Sequence, residues 1–160
     1  MAPRQTPPQP NPSAAISAEQ ALYLIRSTLL TLNDANRSGN YTVLRDLAAP
    51  GFQQKNSAAD LGVIFSDLRR RDFDLAAVAL AAPKLAAAPA RDDQGMLRLT
   101  GFFATRPLQI HFDLLFQDVG GHWRLFAIAV ETPEAPPLPQ AQQQGAAPAA
   151  PKRAAAGRGQ

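Results

Sequence analysis

The chain has 160 residues, no cysteine and a formal net charge of +3, with an isoelectric point near 9.8. The lack of cysteine excludes disulfide frameworks, thiolate nucleophiles and thiolate metal sites, and no apolar run is long enough to cross a bilayer. The basic excess is small, and part of it lies near the ends at Arg4, Lys152, Arg153 and Arg158.

Residues 1–16 and 133–160 are rich in Pro, Ala and Gln. Such segments lack the large apolar side chains that offset the entropy of ordering, which predicts disordered tails on either side of one domain at 17–132. The lead has no apolar signal-peptide core. As it stands the sequence predicts a cytoplasmic protein, and a true start further upstream encoding a signal peptide would make it periplasmic.

Ser17, with Gln20 three residues later, has the spacing of a capping box. Leu22, Ile25, Leu29 and Leu32 follow at intervals of three and four, which predicts a helix over 18–36 with one apolar stripe, ended near Gly39. Asn40 caps a second helix over 41–48, and Pro50-Gly51 reads as its stop. A third runs from Asn56 or Ser57 to Ser66 or Arg70, with Leu61, Ile64, Phe65 and Leu68 at helical spacing. The basic run Arg69-Arg70-Arg71 precedes Asp72 and Asp74 and has no interleaved aromatic residues. It reads as a solvated helix end complementing the helix dipole, and no nucleic-acid partner is expected.

Beyond Arg71 the pattern predicts strands over 73–80, 84–90 and 96–103, with Gly101 marking a bulge or bend. The stretch from Arg106 to Val130 reads as two long antiparallel strands joined at Asp118-Val119-Gly120-Gly121. In the first, Leu108, Ile110, Phe112, Leu114 and Phe116 share one face, and Gln109, His111, Asp113, Leu115 and Gln117 share the other. Strict alternation in the second puts Trp123, Leu125, Ala127 and Ala129 on one face and Phe126, Ile128 and Val130 on the other.

Helices followed by a run of antiparallel strands predict an α+β fold with the N-terminal helices packed on one face of the sheet. In this order, in the segment from Asn33 to Tyr41 that leads into a short second helix, and in the closing strands with Trp123-Arg124-Leu125-Phe126, residues 17–132 resemble the NTF2-like superfamily. That group includes nuclear transport factor 2, ketosteroid isomerase, scytalone dehydratase, SnoaL-like proteins and bacterial members of unassigned function. The resemblance implies a cystatin-like cone with a curved sheet, and a pocket between the sheet and the helices. It also implies frequent dimerisation through the outer face.

His111 and Asp113 lie on one face of a strand, where a carboxylate can orient an imidazole as a general base. That face is the one turned away from the helices, so a surface or homodimer role is expected, shared with Leu115 and, by alternation, Trp123 and Leu125. Tyr23 and Tyr41 flank apolar helical stripes and are weaker catalytic candidates. Phe52, Phe65, Phe103, Phe112 and Trp123 are the candidates for lining an apolar pocket that takes a small hydrophobic ligand. Two histidines at unrelated positions make no metal site. Without a phosphate loop, dinucleotide fingerprint or nucleophile elbow, no cofactor is expected. The sequence therefore favours a ligand-binding or self-associating domain over a SnoaL or ketosteroid isomerase type of enzyme, with an exported envelope-associated binding protein as a further alternative.

Overall fold

The computed structural model describes residues 16–139; the Pro/Ala/Gln-rich ends up to residue 15 and from residue 140 lie outside them. Helix α1 spans Ala18–Ser38. The Ser17 hydroxyl accepts from the Gln20 amide at 3.1 Å, which satisfies one of the amides that a helix start leaves unpaired. At the other end Gly39 takes a left-handed φ of 74° and donates its amide to the Ala35 carbonyl. Ala21, Leu24, Ile25, Leu29, Leu32 and Ala35 form the buried stripe.

Four short helices follow: α2 (Thr42–Asp46), α3 (Pro50–Lys55), α4 (Ala58–Ile64) and α5 (Ser66–Arg70). Pro50 does not end the helical region, as its sequence context suggests. It starts α3, where the amide that proline lacks is not needed. The expected third helix is broken at Phe65 into α4 and α5, and Ser57 and Asp60 form a reciprocal capping box at its start.

Residues 73–80 are not a strand. Ala76–Ala79 form a short 3-10 helix, because α1 takes up the backbone groups that a sheet ladder would have used. Asn33 accepts from the Leu75 amide at 2.8 Å, and Arg26 donates to the carbonyls of Val78 and Ala81 at 3.0 and 2.8 Å. The expected strand over 84–90 is reduced to two pieces, β1 (Lys84–Leu85) and β2 (Ala90–Arg91), separated by residues 86–89, of which Ala86 still donates its amide to the Thr100 carbonyl.

Both pieces flank one side of β3 (Leu97–Phe103), which pairs with β4 (Ile110–Val119), which pairs with β5 (His122–Glu131). The result is an open, fully antiparallel five-stranded sheet. Gly101 marks no bulge, since β3 and β4 stay in continuous register through Gly101 and Phe112. Its missing side chain serves a close approach: a Cβ there would collide with the Lys84 carbonyl oxygen of β1. The hairpin turn is two residues, Gly120 and Gly121, with φ of 61° and 82°, the positive angles that match a tight turn to the strand twist.

The bulge lies elsewhere. Leu115 pairs with Ala127 and the next residue, Phe116, pairs with Leu125, so Phe126 is an extra residue in β5. One inserted residue shifts which face every later side chain takes. Trp123 and Leu125 therefore join Ile128 and Val130 against the helices, on the same side as Ile110, Phe112, Leu114 and Phe116. Strict alternation had placed them on the opposite face.

Candidate functional site

The flank of α1 formed by Leu24, Ser27, Thr28 and Thr31 repeats at three and four residues, which aligns these side chains along one side of the helix. It does not close fully onto the sheet. A cleft of about 260 Å³ remains between that flank, Leu44 and Leu47 of α2, and Phe116, Trp123 and Leu125 of the hairpin. Tyr23, His122 and Arg124 border it, and Tyr23 is 69 % exposed at the rim.

The floor is apolar, and it exists because the bulge turned Trp123 and Leu125 inward. The Arg91 guanidinium lies 4.7 Å from the centre of the Trp123 ring, a cation–π contact that holds the indole at the edge of the cleft. The roof is polar in a restricted way. Ser27 donates to the Leu24 carbonyl at 3.3 Å and Thr31 donates to the Ser27 carbonyl at 2.7 Å. Each hydroxyl proton is thus committed to the helix backbone, and the oxygen lone pairs remain free to accept. Among the described residues, no carboxylate lines the cleft.

The strongest sequence candidates for chemistry lie elsewhere. His111 and Asp113 both sit on the face of β4 turned away from the helices, as expected, but they do not form a dyad. Arg98 grips the Asp113 carboxylate with two nitrogens, its Nε at 2.9 Å, and Thr100 donates to the same carboxylate at 3.1 Å. The Arg98 hydrogen bonds hold the Asp113 carboxyl below the usual carboxylate range, against partial burial, which raises it. The His111 imidazole instead meets the Gln109 side-chain carbonyl at 2.8 Å and stacks on Phe102 with ring centres 5.1 Å apart. The carboxylate that would have oriented it already has a stronger, charge-assisted partner.

Tyr41 is a core residue, 2 % exposed. Its hydroxyl donates to Asn36 Oδ1 at 2.6 Å, its ring stacks on Phe65, and burial pushes its phenol above the ordinary value. Of the five aromatic residues expected to line a pocket, only Trp123 lines the cleft. Phe52, Phe103 and Phe112 are core side chains instead, and Phe65 borders a separate groove between α4, α5 and β5. Of the expected dimer face, His111, Asp113 and Leu115 remain on the open side, whereas Trp123 and Leu125 do not.

Ser27, Thr28, Thr31 and Leu47 are the cleft residues that sequence reasoning passed over. The visible signal was a row of hydroxyls at helical spacing beside the Leu24, Ile25 and Leu29 stripe. No family model matches this chain. No curated protein and no solved structure matches it either. Among the described residues no group of three or more potential ligands could hold a metal ion, and no helix is long and apolar enough to cross a membrane.

Proposed function

We propose that the chain is a non-catalytic NTF2-like domain that binds a small, largely hydrophobic molecule in the cleft between α1 and the β4–β5 hairpin. One observation carries this reading. An apolar floor of Phe116, Trp123 and Leu125 faces a helix flank on which the Ser27 and Thr31 hydroxyls offer acceptors, and the chain's histidine–aspartate pair lies on the other side of the sheet. An apolar pocket with a few convergent polar groups is the usual form of a small-molecule site. The acceptors favour a ligand with an O–H or N–H group. The SnoaL or ketosteroid isomerase type of enzyme is the second reading, supported by Tyr23 and His122 at the rim. It lacks a carboxylate partner for either group in the cleft.

Trp123 is the only tryptophan of the chain and forms part of the floor, so its fluorescence reports occupancy directly. Titration with anilinonaphthalene sulfonate is expected to give a saturable quenching of Trp123 by energy transfer to the dye. Thr28→Phe, which fills the cleft from the roof, is expected to abolish it while the fold is retained by circular dichroism. A wild-type protein showing no saturable change, or a Thr28→Phe variant that binds as before, removes the cleft from consideration. Replacing Tyr23 and His122 separately tests the enzyme reading once a turnover assay exists.

A further inference from the structure

Charge is unevenly distributed around the cleft. Its lining includes Arg124 and His122 but, among the described residues, no carboxylate. A second guanidinium stands at the same end. Arg91 of β2 pairs with Leu97 of β3, which is fully buried, and residues directly opposite each other in a ladder project from one face. Arg91 therefore rises on the helix side of the sheet, the side that carries Phe116 and Trp123, and its guanidinium lies over the Trp123 ring at 4.7 Å. Neither Arg91 nor Arg124 belongs to an ion pair among the described residues. The adjoining carboxylates are turned to backbone amides instead. Asp92, next to Arg91, accepts from the Gln94 and Met96 amides at 2.9 Å each, and Asp118, opposite Trp123, accepts from the Gly121 amide at 2.9 Å. A guanidinium held by an indole through its charge still has N–H donors to offer to an anion.

We infer that the cleft selects an amphipathic organic anion: a compact apolar body carrying a carboxylate or sulfonate that Arg91 holds at the Trp123 end. This rests on the ligand reading above and names the class of ligand. The two ends of the cleft fix its orientation. On the α1 flank the Ser27 and Thr31 hydroxyls donate to the helix backbone, so the lone pairs they leave for a ligand favour a donor and repel an anion. At the Trp123 end a cation without a carboxylate partner favours the anion, and hydrogen bonds to an ionised group are roughly twice as strong as neutral ones. Between the two ends Leu24, Phe116, Trp123 and Leu125 cover the apolar body.

Arg124 has the lesser part. It pairs with Gln117, on the open face of the sheet, so it borders the cleft from outside and adds positive potential rather than a direct contact. Size narrows the class further. A volume of about 260 Å³ lies just under the roughly 300–1,000 Å³ of sites for drug-sized molecules, which restricts the apolar body to a few rings or a short chain. An inorganic anion would leave the apolar floor bare, and an uncharged molecule of the same shape would gain nothing from Arg91.

Two dyes that share one ring system test this apart from the reading it rests on: anilinonaphthalene sulfonate carries the anion, and phenylnaphthylamine lacks it. Each is titrated into the full chain at low ionic strength and followed by Trp123 quenching, with circular dichroism melts confirming that every variant is folded. The wild type is expected to bind the sulfonate about fivefold more tightly, and added salt is expected to shrink that advantage by screening. Arg91→Gln is expected to bring the sulfonate down to the affinity of the neutral dye while leaving the neutral dye unchanged, and Arg91→Lys to keep part of the preference. Lys84→Gln removes the same charge from the open face, where Lys84 lies over Phe102, and is expected to alter neither affinity. Equal affinities in the wild type, or a preference that survives Arg91→Gln, overturn the inference and leave the ligand reading standing. Equal weakening of both dyes in Arg91→Gln also overturns it, because Arg91 would then only support the indole. So does a preference lost alike in Lys84→Gln, which would assign it to net charge. If neither dye saturates, the cleft is no ligand site and the inference falls with the reading beneath it.

Discussion

Along β4, Ile110, Phe112, Leu114 and Phe116 turn to the helices and are at most 2 % exposed, whereas His111, Asp113, Leu115 and Gln117, alternating with them, turn away and stay partly in solvent. The covered set packs with Leu97, Leu99 and Phe103 of β3 and the α1 stripe into one core. The open set is held by polar contacts with its own neighbours, chiefly Arg98 and Thr100 on Asp113 and Gln109 on His111. The same strand thus contributes two kinds of interaction. Burial of hydrocarbon against α1 supplies the stability, because each fully buried aliphatic side chain is worth about 1.5–3 kcal/mol. A half-exposed ion pair contributes little, because water and salt screen it.

Four measurements break or sharpen this contrast, the largest effect first. Leu114→Ala, at a site that is fully buried, is expected to lower unfolding stability by about 2–5 kcal/mol through lost burial and the cavity left behind. Urea melts would read this directly, and a loss below about 1 kcal/mol would mean that the two faces are equivalent. Gly101→Ala forces a methyl group into the Lys84 carbonyl and is expected to cost about 1–3 kcal/mol by overpacking. The accompanying loss of β1 pairing should appear as faster amide exchange at Ala86, which donates to the Thr100 carbonyl.

The third test uses pH. Asp113 has a lowered carboxyl pKa in the folded protein, caused first by the Arg98 hydrogen bond. Its contribution is therefore present above the unfolded carboxylate value near pH 4 and is lost as pH falls through the lower folded value. Its side chain is 36 % exposed and that of Arg98 is 66 % exposed, so screening limits the effect to under about 1 kcal/mol. Asp113→Asn is expected to flatten the acid limb of the stability profile by that amount, and an unchanged limb would show that the pair contributes nothing. The smallest effect is expected for Leu115→Ala on the open face, about 0.5 kcal/mol or less. A loss equal to that of Leu114→Ala would show that the open face is buried in solution, as a face-to-face dimer would make it.

Much of this arrangement was legible in the residues. The start of α1 at Ser17 and its end at Gly39, the two glycines of the hairpin and the covered face of β4 all follow from interactions within a few positions of chain. Such signals survive in any context that provides a core. The candidate site was less legible: of the cleft's lining, Trp123, Leu125 and the rim tyrosine were singled out from the sequence, and Leu125 only for a dimer face.

What the amino-acid sequence determined by itself was therefore the succession of helices followed by antiparallel strands, the α+β class and the face of β4 that faces the helices. The tertiary structure decided the rest through partners distant in the chain. Arg26 and Asn33 reach 41 to 55 residues ahead to hold Asp74–Ala81, turning an expected strand into a short helix. Ala49 secures Leu125 beside the bulge, and Phe126 lies against Gly51, where even a Cβ would come within 2.7 Å of the ring. That one extra residue in β5 turns Trp123 and Leu125 into the cleft and sets Arg124 and Glu131 on a common face. A single insertion in a period of two changes the side taken by every residue on one side of it, and nothing in the local pattern of apolar residues from Trp123 to Val130 records where it falls.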